Sequence, residues 1–223
     1  MSQSQPPRRL ARAEAVLAAR RRHLTVVLED AHDPHNISAV LRTCEAFGIQ
    51  DVHIVVERGH APSINDAITI GAERWLTLHR HAGAEAAIAV LRARGYKIYV
   101  SHLSSESVAL PQLPVDVRSA YVFGNERDGV SSAWAENADA RFLVPTSGFT
   151  GSLNLSVAVA ITIYERLSRA RTPSDLSEEE RRGLRAAWYA KLAHGSRELE
   201  RTFESYLENP PDPELSFPWD RSR

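Results

Sequence analysis

The chain of 223 residues has one cysteine, one methionine, almost no net charge and no long apolar run. Each shortage excludes something. The lone Cys44 cannot close an intrachain disulfide and fits a reducing compartment; on the apolar side of its predicted helix it reads as a core residue. No stretch approaches the roughly 20 apolar residues that a membrane helix needs, and no hydrophobic signal region follows the arginine-rich N-terminus, so a cytoplasmic location is expected. With 27 Lys plus Arg against 28 Asp plus Glu, total charge announces no nucleic-acid partner. There is no G-x-G-x-x-G after the first apolar run and no G-x-x-x-x-G-K-[ST], which excludes a dinucleotide-binding Rossmann site and a P-loop NTPase. His32 and His35 lie in a proline-containing loop without cysteines or an acidic cluster beside them, so no metal is expected. Trp75, Trp134, Trp188 and Trp219 are too dispersed for a base-stacking platform and read as packing residues.

What the chain does contain is alternation. Short β-rich runs at Leu24–Leu28, Val52–Val56, Lys97–Ser101 and Ala120–Phe123 alternate with helical patterns at Ile37–Phe47 and Ala84–Arg94. That order calls for an α/β fold with a mostly parallel sheet covered on both faces. Ile37, Val40, Leu41, Cys44 and Phe47 share a helical face, and Gly48 and Gly95 stand where helices close with a left-handed residue. Arg42 is off that stripe. It is expected to project from the carboxyl edge of the sheet, where open α/β sheets bind ligands.

Three regions follow from composition: a basic arm over 1–23, an α/β domain over 24–170, and a helical extension with a proline-rich tail over 171–223. The arm carries Arg8, Arg9, Arg12, Arg20, Arg21 and Arg22 against the single acid Glu14, a distribution suited to an RNA phosphate backbone or simply to a solvated helix. Ser177 and Glu180 have capping-box spacing, and Leu184, Trp188, Leu192, Leu199, Phe203 and Leu207 recur at helical intervals. Pro210, Pro211, Pro213 and Pro218 bar a helix at the end of the chain, which is expected to wrap a surface or stay disordered.

The most informative segment runs from Pro145 to Ser156, where a strand end passes through a loop punctuated by Gly148 and Gly151 into the apolar helix Val157–Leu167. Ser152 or Asn154 suits the N-cap. Ser152 as a hydrolase nucleophile lacks a G-x-S-x-G elbow and an identifiable His and Asp pair. Two further segments accompany it: Asn36, Ala39 and Arg42 at three-residue intervals, and the Gly-x-Glu-x-x-Gly of Gly124, Glu126 and Gly129. Together with Pro145, Ser152, Leu153, Asn154 and Ser156, they resemble the three signature motifs of the TrmH family of SPOUT RNA ribose 2′-O-methyltransferases, over about Leu24 to Arg169.

The resemblance implies a Rossmann-like sheet with a C-terminal trefoil knot over about 120–164, a homodimer formed through the knotted region, and S-adenosylmethionine as cofactor. Its catalytic set would be Arg42, Asn36, Glu126, Ser152 and Asn154, with the other four holding Arg42 and the ribose. Because a guanidinium has a pKa above about 12, gripping a phosphate and polarising the 2′-hydroxyl suit Arg42 better than general-base action, which stays open. The cofactor would lie against Ser101, His102 and Leu103, then Gly124, Asn125 and Glu126, then Val144, Pro145, Gly148, Ser152 and Leu153. His102 is expected chiefly as a cofactor wall. The short arm, the run Leu41-Arg-Thr-Cys44 and the lack of a separate RNA-binding domain favour tRNA, with a D-loop guanosine as target. A ribosomal-RNA guanosine, a tRNA wobble nucleotide and a non-catalytic RNA-binding protein on the same fold are the alternatives.

Overall fold

The computed structural model describes residues 6–56, 66–170 and 174–214. The chain divides into two compact units, one spanning Arg21–Thr172 and the other Met1–Arg20 with Pro173–Arg223. In chain order the helices are α1 (Arg8–Ala18), α2 (Pro34–Ala46), α3 (Asp66–Thr69), α4 (Ala84–Ala93), α5 (Ser132–Asn137), α6 (Leu155–Arg169), α7 (Glu178–Leu192) and α8 (Arg197–Glu204). The strands are β1 (Leu24–Glu29), β2 (Asp51–Val55), β3 (Thr77–His81), β4 (Lys97–Ser101), β5 (Val108–Ala109), β6 (Ser119–Phe123) and β7 (Ala140–Leu143).

All seven strands form one parallel sheet in the order β3-β2-β1-β6-β4-β7-β5. Because side chains alternate across a strand, each apolar run feeds both faces. Val26, Leu28, Val52, Tyr121 and Phe142 pack with Ile37, Val40, Leu41 and Cys44 of α2 and Val159 and Ile163 of α6. Val27, Val55, Ile98, Val100 and Val122 pack with Ala87, Ile88 and Leu91 of α4 and Trp134 of α5 on the other face. Cys44, Trp134 and Trp188 are buried, in agreement with the packing reading; Trp219 lies outside the described residues.

The connection pattern creates the site. From β4 the chain passes through β5 to β6 on one side of β4, then crosses back to β7 on the other side. Three parallel strands, β6, β4 and β7, therefore end side by side, and a crevice opens outside their carboxyl ends where the order reverses. His102 extends the ladder one step, its N–H donating to the Phe142 carbonyl at 2.9 Å.

The second unit joins both ends of the chain. Glu14 on α1 is buried and accepts from Arg185 Nε at 2.8 Å, Arg185 Nη2 at 2.9 Å and the Tyr189 hydroxyl at 2.8 Å, both partners lying on α7. Ser177 and Glu180 form the capping box at the start of α7. Past α8 the tail lies against α1, with Pro211 buried and the Glu214 N–H donating to the Ala11 carbonyl at 3.0 Å. Pro218 lies outside the described residues.

This packing corrects the picture of a free arginine arm. Arg20 is fully buried, with its guanidinium 5.2 Å from the centre of the Trp188 ring. Arg9 donates to the Leu192 carbonyl and lies over Phe203. In the sheet unit, Arg21 pairs through its main chain with Ile49, and Arg22 Nε meets Asp51 at 3.0 Å. Only Arg8 and Arg12 of the six are exposed without a partner among the described residues. Local charge marked the segment as basic but did not show that two aromatic rings and a buried acid await its arginines.

Candidate active site

The crevice is a cleft of about 580 Å³, within the range of a small-molecule or cofactor site. Its walls are the three strand-end loops: Ser101, His102 and Leu103 after β4, Phe123 to Gly129 after β6, and Leu143, Val144, Thr146 and Gly151 to Leu155 after β7. Of the expected cofactor contacts, Ser101, His102, Leu103, Gly124, Asn125, Glu126, Val144, Ser152 and Leu153 line it, whereas Pro145 and Gly148 do not. Thr146 and Gly151 of the same loop line it too, as does Asn154 of the expected catalytic set.

Local chemistry shapes each wall. The 125–129 turn is closed by Asn125 N–H to Gly129 O at 3.0 Å and Gly129 N–H to Asn125 O at 2.9 Å. It folds so tightly onto Gly124 that a Cβ there would stand 2.0 Å from the Gly129 carbonyl oxygen. Asn125 holds the turn from within, its side-chain amide donating to Asp30 O at 3.1 Å and its Oδ1 accepting from Arg127 N–H at 2.7 Å. Beside it, Ser131 donates from its N–H and its hydroxyl to the buried carboxylate of Glu29, both at 2.7 Å.

One polar chain links two walls of the cleft through Asn36, which does not itself line it. Asn36, at the start of α2, donates from Nδ2 to Glu126 Oε1 at 2.8 Å and accepts at Oδ1 from Asn154 Nδ2 at 2.9 Å. Asn154 is the N-cap of α6, its Oδ1 accepting from Ser156 N–H at 2.9 Å and Val157 N–H at 3.4 Å. Residues 90 and 118 positions apart are thus joined, and the positive end of α6 is linked to the Glu126 carboxylate. Ser152 stands exposed on the cleft wall.

Arg42 is not part of this assembly. Helix α2 runs antiparallel to the strands, so its first turn sits at their carboxyl edge and Arg42, six residues beyond Asn36, lies about 9 Å down the axis. Its side chain is exposed, does not line the cleft and has no partner among the described residues. Within one chain, then, Asn36, Glu126, Ser152 and Asn154 do not hold it, and it does not line the cleft at the carboxyl edge. The helical stripe predicted its exposure correctly.

Among the described residues no group of His, Cys, Asp and Glu is arranged to hold a metal. The cleft does fit a nucleoside-containing cofactor, since it has the volume, offers strand-end backbone groups and contains the buried Nδ1 of His102 with no partner among the described residues.

A polar cluster elsewhere escaped sequence reading. His53 on β2 stacks between His79 and His81 of β3, with ring centres 4.5 and 5.1 Å away, and its Nδ1 lies 2.9 Å from His81 Nε2. His79 Nε2 meets Asp51 at 2.7 Å. Burial first, then the neighbouring His79, His81 and Arg94, pushes the His53 pKa down to about 3, and burial likewise lowers that of His81. The period-two spacing of His79 and His81 was the available signal.

An α/β sheet with a polar cleft at its topological switch point, sized for a nucleoside, describes a cofactor-binding domain. The SpoU rRNA methylase family model matches residues 23–164. The chain is 37% identical to the tRNA (guanosine(18)-2′-O)-methyltransferase of Borreliella burgdorferi over 87% of its own length and 90% of that protein's. It is 36% identical to the enzyme of that name from Thermus thermophilus, over 69% of this chain and 79% of that one. The crystal structure of the Aquifex aeolicus TrmH/SpoU tRNA modifying enzyme superposes with a TM-score of 0.76 at 31% identity, covering 83% of this chain and 97% of that one. The chain belongs to the SpoU methylase family, whose members use S-adenosylmethionine.

Proposed function

We propose that the chain methylates the ribose 2′-hydroxyl of a guanosine in tRNA, at position 18 of the D-loop, using S-adenosylmethionine. The observation that carries this reading is the Glu126–Asn36–Asn154 chain, which ties the three motifs together at the cleft. The names of the relatives supply the nucleotide.

The cofactor would rest against the backbone of Ser101 to Leu103, Gly124 to Glu126 and Val144 to Leu153, with Gly124 letting the 125–129 turn close. When bound it supplies an electrophilic methyl group on a sulfonium. The chain itself must place a ribose hydroxyl beside that methyl and accept or relay its proton. Positioning of this kind is worth up to about 7–11 kcal/mol of a barrier. Asn36 donates to Glu126 and accepts from Asn154, so it acts as a brace; Ser152 and the exposed edge of Glu126 remain for the ribose.

Arg42 enters from a second copy. Val157, Ile161 and Tyr164 form an exposed apolar stripe on α6, and Phe47 at the end of α2 meets Tyr164 edge-on at 6.3 Å. A stripe of this kind calls for a covering surface. A homodimer with this patch at its two-fold axis covers it and allows the Arg42 of one chain to serve a cleft that its own chain does not reach. The trefoil knot of the fold would fall over 120–164, and a tRNA substrate is consistent with a cytoplasmic protein.

Calorimetry with S-adenosylmethionine and S-adenosylhomocysteine is the first test. Micromolar binding without added metal or nucleotide is expected; a folded sample that binds neither sinks the methyltransferase reading.

A further inference from the structure

The cleft holds one cation that the catalytic set leaves unused. Arg127 stands in the middle of the 125–129 turn and lines the cleft between Glu126 and Asp128. It is the sole arginine or lysine among the described lining residues. Its guanidinium has no hydrogen bond or ion pair among the described residues, although a carboxylate adjoins it on each side in sequence. The turn that carries it is nonetheless fixed, by the Asn125–Gly129 pair and by Arg127 N–H donating to Asn125 Oδ1 at 2.7 Å. An unpaired guanidinium on a tied turn is a group held ready for a ligand that comes from outside.

The chemistry of the substrate says which ligand. In RNA the 2′-hydroxyl and the 3′-phosphodiester sit on adjacent ribose carbons, so a hydroxyl brought into the cleft carries a phosphate within one sugar's width. Glu126 and Asp128 repel that phosphate, and Arg127 is the lining cation of the cleft's own chain that can offset them, beside the Arg42 brought by a second copy. We propose that Arg127 grips the phosphodiester 3′ to the target ribose and so sets the depth at which the 2′-hydroxyl enters. The proposal rests on the ribose-methyltransferase reading. A planar fork suits two phosphate oxygens at once, which a lysine cannot match.

The test uses the full chain with Arg127→Ala and Arg127→Lys, steady-state methylation of a tRNA transcript over a salt series, and calorimetry with S-adenosylmethionine alone. Arg127→Ala should raise KM for tRNA about 10-fold or more and reduce the slope of log(kcat/KM) against log salt by about 0.7–0.9, leaving cofactor affinity unchanged. Arg127→Lys should keep the slope and lose part of the affinity. Weakened cofactor binding with an unaltered salt slope would overturn the proposal, because the arginine would then hold the cofactor's carboxylate. Unchanged behaviour of Arg127→Ala would overturn it too. Failure of the underlying reading looks different: the wild-type protein itself would transfer no methyl group.

Discussion

At the scale of single residues, position rather than burial decides what a substitution does. Arg42 is exposed and unpartnered among the described residues, so Arg42→Ala should leave folding and cofactor binding intact. It should nevertheless abolish methyl transfer, and Arg42→Lys should be badly impaired because a point charge cannot replace a planar fork. Single-turnover rates beside calorimetric cofactor affinities check both; a lysine variant at the wild-type rate would show that charge alone suffices. Gly124 is the opposite case. A Cβ there would stand 2.0 Å from a backbone oxygen, so Gly124→Ala must unlock the 125–129 turn. Overpacking of that kind costs about 1–3 kcal/mol, enough for roughly 10-fold weaker binding of S-adenosylmethionine together with a lower melting temperature. Retained affinity would mean that the turn opens without loss.

At the scale of elements, the sheet carries a pH dependence of its own. His53 is held neutral between β2 and β3, its folded pKa near 3 against an unfolded value of about 6.5. Between those values the unfolded chain binds the extra proton, so stability falls as pH drops through this window, with a slope of up to about 1.4 kcal/mol per pH unit for one proton. His81, also shifted down, adds in the same direction. Melting temperatures from pH 7 to pH 4 should therefore decline, and His53→Gln should flatten the decline; an equal decline in the variant would assign it to other groups. These strands also show what was legible in the sequence. Runs such as Leu24–Leu28 and Lys97–Ser101 were readable because both faces are buried and every residue counts toward one apolar signal. Edge strand β3, Thr-Leu-His-Arg-His, was not, since its polar side chains are satisfied by β2 across the ladder. Strand β7 is four residues long and carries Arg141, and β5 is only two; such signals drown in the surrounding loops. The cleft residues were readable because glycines and capping residues fall at fixed offsets from strand ends. The partners of Arg20 and Arg22 were not, as they depend on which segments the topology brings together.

At the scale of the molecule, the proposed reaction requires two copies and an RNA. Tyr164→Asp places a charge in the α6 stripe and should yield a monomer in light scattering, with S-adenosylmethionine still bound and methyl transfer abolished. A fully active monomer would remove the second copy from the mechanism. Since α1 is anchored through Glu14, Arg185 and Tyr189, truncating it would expose buried polar groups. Arg8→Ala with Arg12→Ala is the cleaner probe of RNA affinity, expected to lower the salt slope by about 0.7–0.9 for each phosphate no longer neutralised, without altering cofactor affinity. The central claim is tested most directly by incubating the wild-type protein with labelled S-adenosylmethionine and unmodified tRNA, then mapping the product by mass spectrometry. The account predicts one methyl group on the ribose 2′-oxygen of guanosine 18, made without added metal. A methyl group on a base, or none on any RNA from a protein that binds the cofactor, would contradict it.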